Sequence, residues 1–382
     1  MNAATLLPLL LLAACGRADP TDAADAASDA DAASDADADA DSDADADADT
    51  DADTDTDTDT SASTDCGPCP DGSTCGSANG IPVCRDAATG IPRFEHVIVV
   101  TMENTSLETL ISGGNTPYLT SLVGSAAYAA DYHGTEHPSL PNYLELVSGA
   151  VVDNGPLDCD CEPTGDACDG LSCNLLASSC GCPQDHAHLG EQLDAAGVSW
   201  RAYGEDMGRP CDVTEHGDYA PKHVPFLYFP RLTDDAPTCA DRVVDYLPAF
   251  AADLASGQRR FLFVAPNLVH DMHDPIPAGH QNLANGDAWL AQEIPAILAS
   301  PAYTDRGLLV IVWDEDDNSG IGHPEEPIPM ILLSPLAKQG GYASAVRYDH
   351  DSMLATFEDG LGVPRLGRAI GARPLDDFFP AE

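Results

Sequence analysis

The sequence predicts an α/β domain with a mostly parallel central sheet covered by helices on both faces, a three-layer sandwich. Three observations predict it. From about residue 93 onward, short apolar runs rich in Val, Ile, Leu and Phe alternate with amphipathic stretches of helical period. About 290 residues of this kind are ample for one such domain. Carboxylates, amides and histidines cluster directly after several apolar runs, where open α/β sheets carry their sites.

The elements follow in order. Residues 96–101 (HVIVVT) read as a buried strand. Leu140 onward reads as a helix with a proline in its first turn, which puts Ser139 at the N-cap. Residues 189–197 read as a helix and 200–203 as a strand. A helix is expected over 241–256, then a strand over 260–265 (RFLFVA). The same pair recurs as a helix over 287–298 and a strand over 307–313 (GLLVIVW). Residues 328–333 read as a further strand. The helix expected over 351–361 is stopped by Gly362 and followed by Pro364.

Upstream of residue 93 the composition excludes a large core. Residues 1–15, MNAATLLPLLLLAAC, hold an apolar run too short to span a bilayer, which fits the core of a signal peptide. The run ends in Leu12-Ala13-Ala14-Cys15, which resembles a bacterial lipobox and implies lipidation of Cys15. An ordinary signal peptide with a chance cysteine is the alternative. Residues 16–65 are nearly all Asp, Ala, Ser and Thr. Self-repulsion keeps such a tract disordered and extended, so it reads as a tether between a membrane anchor and the domain. A calcium-binding tract is the alternative, although the Gly turns of ordered Ca²⁺ repeats are missing.

The chain has 13 cysteines, and an exported chain favours disulfides. Cys66, Cys69, Cys75 and Cys84 lie in a small segment, 66–92, that reads as a two-disulfide knob. A zinc site is the alternative there, with ligand spacing only at Cys66-x-x-Cys69. Cys159, Cys161, Cys168, Cys173, Cys180 and Cys182 mark a pinned insertion over 150–184. Cys211 and Cys239 flank the segment that holds His223 and are expected to pair.

The formal net charge of -48 argues against nucleic-acid binding, because a phosphate backbone would be repelled. Candidate chemistry comes from four places. The strand at 96–101 is followed by Met102-Glu103-Asn104. The strand at 307–313 is followed by Asp314-Glu315-Asp316-Asp317, a run that in isolation reads as a solvated loop. The strand at 260–265 is followed by Asn267, His270, Asp271, His273 and Asp274. Such convergence suits a divalent cation bound by oxygens, with histidines nearby. The fourth place is His137-Pro138-Ser139-Leu140-Pro141-Asn142-Tyr143. Ser139 there serves as a plain capping residue or as a nucleophile, since a helix N-terminus favours an alkoxide and gathers phosphate oxygens.

Several ordered blocks resemble one family. They are VIVVTMENTS (97–106), HPSLPNYLELVSG (137–149), WRAYGEDM with KHVPF downstream (200–226), APNLVHDMHD (265–274), GDAWL (286–290), LLVIVWDEDD (308–317) and YDHDSMLATFEDGLGVPRLG (348–367). Residues 94–380 resemble the phosphoesterase family of bacterial acid phosphatases and phospholipases C, in the alkaline phosphatase superfamily. Ser139-Leu140-Pro141-Asn142 is also similar to the T-x-P-N nucleophile segment of nucleotide pyrophosphatases/phosphodiesterases.

The resemblance implies an alkaline-phosphatase-like fold over 93–382 and hydrolysis of phosphate esters. It implies Glu103, Asn104, Asp314 and Glu315 as metal ligands, and Ser139 as nucleophile and metal contact. His223 and His273 would touch the phosphate or protonate the leaving group, with His133 or His137 as a further histidine. His323 and His350 also fall in matched stretches. The phospholipase C branch continues its Glu-Asn motif into Phe-Asp-His-Tyr-Phe-Gly, whereas this chain continues into Thr105-Ser106-Leu107. The Ser-Leu-Pro-Asn block favours the phosphatase-like branch. A small phosphomonoester is therefore the expected substrate, with a divalent metal ion as cofactor; the alternatives are a phosphodiesterase or phospholipase C, and a surface lipoprotein that binds metal without catalysis. Oxygen ligands leave Ca²⁺, Mg²⁺ or Mn²⁺ open, and the histidines leave Zn²⁺ or Fe open.

Overall fold

A computed structural model of the chain describes residues 65–112, 115–136, 138–150, 162–163, 183–273, 282–317 and 326–380. The leader with Cys15, the acidic tract up to residue 64, the six cysteines at 159–182, His137, Asp274 and His323 lie outside the described residues.

Strands β1 (Ser73–Ala78) and β2 (Ile81–Asp86) form an antiparallel hairpin. Its two-residue turn is Asn79-Gly80, both at positive φ, as a tight hairpin requires. Cys66 bonds Cys75 and Cys69 bonds Cys84, so the zinc alternative for this segment is excluded. The hairpin is docked onto the main domain. Asn79 Nδ2 donates to the carbonyls of Pro335 (2.9 Å) and Ala337 (2.7 Å), and Thr89 Oγ1 donates to Asp359 Oδ2 (2.7 Å).

The main sheet uses β3 (His96–Met102), β4 (Ala127–Ala129), β6 (Trp200–Gly204), β7 (Val243–Asp245), β8 (Phe261–Ala265), β9 (Gly307–Trp313), β10 (Met330–Leu333) and β11 (Tyr342–Ser344). Two short strands, β5 (Tyr132–His133) and β12 (Tyr348–Asp349), pair separately. The main order is β11-β4-β10-β9-β3-β8-β6-β7. Among the described strands of this sheet, β10 alone runs against the rest, antiparallel to both β4 and β9. Every residue of β3, β8 and β9 is buried, as continuous apolar runs in a two-sided sheet should be. The α/β reading with a mostly parallel sheet therefore holds.

Among the described residues, the helices of six residues or more are α1 (Leu107–Ser112), α2 (Pro117–Val123), α3 (Ser139–Ser148), α4 (Leu189–Ala195), α5 (Ala236–Arg242), α6 (Tyr246–Ser256), α7 (Asn282–Leu298) and α8 (His350–Leu361). The single helix expected over 241–256 is wrong. Val243 and Val244 are β-branched and buried, and they extend as β7 beside β6. Asp245 then caps α6, its carboxylate accepting from Leu247 N (3.3 Å). Leu247 itself stays extended (φ -102°, ψ 135°), as the residue before Pro248 prefers. Cys211 and Cys239 are disulfide-bonded, as expected, and tie the loop after β6 to α5. Among the described residues, no helix is long and apolar enough to cross a membrane.

Candidate active site

Three parallel strands end side by side. Met102 pairs with Trp313 across β3 and β9, and Val100 pairs with Val264 across β3 and β8. The chain leaving each strand is tied to its neighbours by backbone bonds. Asp314 N donates to Met102 O (3.1 Å), Thr105 N to Glu315 O (3.2 Å), and Glu103 N to Asp271 O (2.7 Å). Glu103, Asp314, Glu315 and Asp271 are all buried in consequence. Asn104 turns the chain with φ +34°, a region asparagine tolerates better than most residues.

Ser139 enters this cluster from α3. It is the first residue of the helix, not its N-cap as the spacing suggested. Pro138 holds the cap position, and no side chain caps the helix there. The hydroxyl instead points to oxygens: Glu103 Oε2 at 3.0 Å, Glu315 Oε1 at 3.0 Å and Asn104 Oδ1 at 3.4 Å. The 134–136 loop leading into α3 is held by Asn142. Its Oδ1 accepts from Thr135 N and Glu136 N, both at 3.0 Å, and its Nδ2 donates to Glu136 O at 2.8 Å. A Cβ at Gly134 would lie 2.9 Å from the Asp314 carbonyl oxygen, so only glycine lets this loop press against the end of β9.

His223 comes from a 3₁₀ turn, Pro221–His223. Its ring stacks on Tyr143 with centroids 5.3 Å apart. Its Nε2 lies 3.0 Å from Glu103 Oε1, and its Nδ1 lies 3.8 Å from Asp271 Oδ2. His273 stands at the margin, 4.0 Å from Glu103 Oε2 and about a third exposed. Asp271 Oδ1 accepts from His273 N at 2.9 Å. His133 is occupied elsewhere, with Nε2 2.7 Å from Asp131 Oδ1. His350 buttresses the site from behind: its Nε2 is 2.8 Å from the Asp314 carbonyl and its Nδ1 is 3.0 Å from Tyr132 Oη.

Electrostatics split the carboxyls. Burial would raise Glu103, but the charge and proximity of His223, with Lys222 and His273 beyond, hold it far below the usual carboxylate range. Burial, together with the charges of Glu103 and Glu315, pushes Asp314 well up. Burial also raises Asp271 to about 6 despite His223. Glu103 Oε1, Asp314 Oδ2, Asp271 Oδ2 and His223 Nε2 are buried without an aligned hydrogen bond.

This donor set fits a hard divalent cation. One hydroxyl proton cannot serve three acceptor oxygens, and the cluster is rich in carboxylate, hydroxyl and amide oxygen. Among the described residues, no three carboxylate, imidazole or thiolate groups form a ready-made metal cage. The oxygens instead mix side chains of Glu103, Asn104, Ser139, Asp314 and Glu315. These five residues, expected from the sequence, meet in space, and His223 joins them. Asn142, Tyr143 and Lys222 were missed as neighbours. Tyr143 lies four residues after Ser139, a spacing that puts two helix side chains on one face.

The model of the Phosphoesterase family matches residues 112–364. A phosphatidylinositol-3-phosphatase of Mycobacterium tuberculosis is 31% identical over 78% of this chain and 87% of its own length. A phosphate-repressible acid phosphatase of Penicillium chrysogenum is 24% identical over 72% of this chain and 61% of its own length. Among solved structures, an alkaline phosphatase superfamily protein from Vibrio parahaemolyticus superposes with a TM-score of 0.50 at 12% identity, covering 81% of this chain and 73% of that one. That likeness bears on the fold and agrees with the mostly parallel sheet. With strand ends, serine and carboxylates gathered at one point and these relatives beside it, the chain belongs to the Phosphoesterase family and is a phosphoric ester hydrolase.

Proposed function

We propose that the protein is a divalent-cation-dependent phosphomonoesterase with Ser139 as its nucleophile. The observation that carries this reading is the Ser139 hydroxyl set 3.0 Å from carboxylate oxygens of both Glu103 and Glu315. Glu103, Asn104, Ser139, Asp314 and Glu315 are the residues that would hold the cation. When bound, it would supply positive charge that favours the serine oxyanion and neutralises phosphoryl oxygens.

The chain's own residues account for the rest. Ser139 Oγ attacks phosphorus in line, giving its proton to a neighbouring carboxylate. The Oγ–P bond forms as the bond from phosphorus to the ester oxygen breaks. The departing oxygen takes a proton from His223 or His273. The N-terminus of α3 favours the added negative charge. Water then attacks the phosphoserine, inorganic phosphate leaves, and Ser139 regains its proton.

The disulfides fit an oxidising, extracytoplasmic compartment. Anchoring through a lipidated Cys15, with the acidic tract as a tether, belongs to the same proposal, as does the absence of a nucleic-acid partner. The acidic chain favours small phosphomonoesters over anionic polymers. The name of the mycobacterial relative adds phosphoinositide headgroups to the substrates worth assaying.

The test is phosphate release from an aryl phosphomonoester, an aryl phosphodiester and a short-chain phosphoinositide, with and without chelator. The expected result is chelator-sensitive release from a monoester, lost by ~10³-fold or more in Ser139→Ala with the fold intact. Faster turnover of the diester would replace the monoesterase reading. Undiminished activity in Ser139→Ala would remove the nucleophile.

A further inference from the structure

Behind the site lies a second acidic cluster that the chemistry above does not use. Glu145 sits on α3, six residues beyond Ser139 and three beyond Asn142, and is completely buried. Its Oε2 accepts a hydrogen bond from Thr135 Oγ1. Thr135 is also bonded through its backbone N–H to Asn142. Asn142 and Glu145 therefore lie on one face of α3 and together grip the loop that enters Ser139.

The other side of Glu145 faces Asp351 on α8 and the half-exposed Arg368. Arg368 Nε donates to Asp351 Oδ2 at 2.8 Å, and another of its nitrogens contacts Glu145 Oε1. Asp351 follows His350, the residue that holds the Asp314 carbonyl. The two carboxyls thus join the helix carrying Ser139 to the helix bracing Asp314. One guanidinium cannot neutralise two buried carboxylates. Moreover, Asp351 Oδ1 and Glu145 Oε1 have no other aligned hydrogen-bond partner, and the two carboxyl groups lie within hydrogen-bonding reach of each other.

We propose that Glu145 and Asp351 share one proton, and that this singly charged carboxyl pair, balanced by Arg368, is a bridge between α3 and α8 that positions Ser139. The inference rests on Ser139 being the nucleophile. Among the described residues, these charged and titratable groups surround the pair. Arg368 is the neighbouring cation, and Glu136 adds negative charge near it. Asp349 and Glu358 on the α8 side add negative charge, and Tyr132 faces the pair from β5. This surplus of negative charge favours keeping the proton.

Burial, then the charge of Asp351, raises Glu145 to about 8. The sign follows: a raised carboxyl stabilises the fold fully below its unfolded value, and that contribution is lost as pH rises to about 8. Above that pH, two anions would press α3 away from α8 and loosen Ser139.

The experiment compares Glu145→Ala, Glu145→Gln and the wild type by pH–rate profile and by melting temperature from pH 6 to 10. Glu145→Ala should lose about 10-fold or more in kcat at pH 7 with KM nearly unchanged, as a misplaced nucleophile does. Glu145→Gln should recover most of that loss, and its alkaline limb should move up by about one pH unit or more. Its melting temperature should also fall less than the wild type's between pH 7 and 9. Asp351→Asn removes the same charge from the α8 side and should shift both curves the same way, which covers the event that a Glu145 variant fails to fold. Superimposed alkaline limbs and melting curves for wild type, Glu145→Gln and Asp351→Asn would overturn the shared proton while leaving the hydrolase reading intact. Undiminished kcat in Glu145→Ala would overturn the positioning role. Absence of turnover in the wild type would overturn the proposed function, and the positioning role with it.

Discussion

At the first turn of α3, the Ser139 hydroxyl has one proton and three oxygen neighbours within 3.4 Å. Two of those neighbours belong to buried carboxylates, so the cluster needs positive charge, from protons or a bound cation, to be stable. His223 stands against Glu103, its Nε2 3.0 Å from Oε1 and its ring stacked on Tyr143. In the proposed mechanism, His223→Ala should lower kcat by ~10²–10⁴-fold, measured under saturating substrate, if His223 is the general acid. A loss under about threefold would move that role to His273. Much of this site was legible in the sequence, because Glu103, Asn104, Asp314 and Glu315 each follow a recognisable buried strand. Asp271 stood in a noticed run but was given no role. Asn142 and Tyr143 act through one helix face and a loop contact, and neither is visible until the helix and its neighbours are placed. The N-cap reading of Ser139 failed because Pro138 takes the cap position and the hydroxyl turns into the cluster.

Among the elements, α8 does most to join the parts. It is buried along its whole length; it is linked to α3 through Arg368, to the hairpin segment through Asp359, and to Phe94 just before β3 through the Gly360 carbonyl. At Gly360 a Cβ would lie 2.3 Å from Phe94 Cδ2. Alanine normally stabilises a helix interior relative to glycine by about 1 kcal/mol. Here Gly360→Ala should instead destabilise the protein, by ~1–3 kcal/mol in denaturant unfolding, because Phe94 is packed and cannot retreat. A gain in stability would show that the contact relaxes freely.

Glu358 on the same helix is raised to about 9 by burial, although Leu366 N donates to it. Its favourable contribution is complete below the ordinary carboxyl value and disappears as pH climbs to about 9. Glu358→Gln should therefore melt progressively higher than wild type between pH 5 and 9, by about 3–5 °C at the alkaline end. A constant difference across that range would contradict it. The strand–helix alternation was readable because apolar runs and caps were both present. The split of 241–256 was missed because Val243-Val244 fit a helix-period pattern locally, and only the neighbouring strand β6 selects the extended form.

For the whole molecule, the arrangement places the chemistry at the carboxyl ends of the central strands β3, β8 and β9, with β9 flanked by the one reversed strand, β10. The opposite end of the sheet takes the disulfide-bonded hairpin segment, fixed to α8 through Thr89 and Asp359. Family-level blocks gave the sheet and the site together, since each block is a strand with the loop that follows it. Composition alone gave neither, because it does not say which carboxylates follow a strand, and 19 of the 64 acidic residues sit in the acidic tract outside the sheet.

In the proposed mechanism Ser139 forms a covalent bond to phosphorus. Rapid acid quenching during turnover of an aryl phosphomonoester, followed by peptide mass spectrometry, tests it most directly. A phosphoryl group is expected on the peptide containing Ser139, absent from Ser139→Ala and from chelated enzyme. Turnover with no phosphorylated Ser139 at any quench time, including under conditions that slow dephosphorylation, would contradict it.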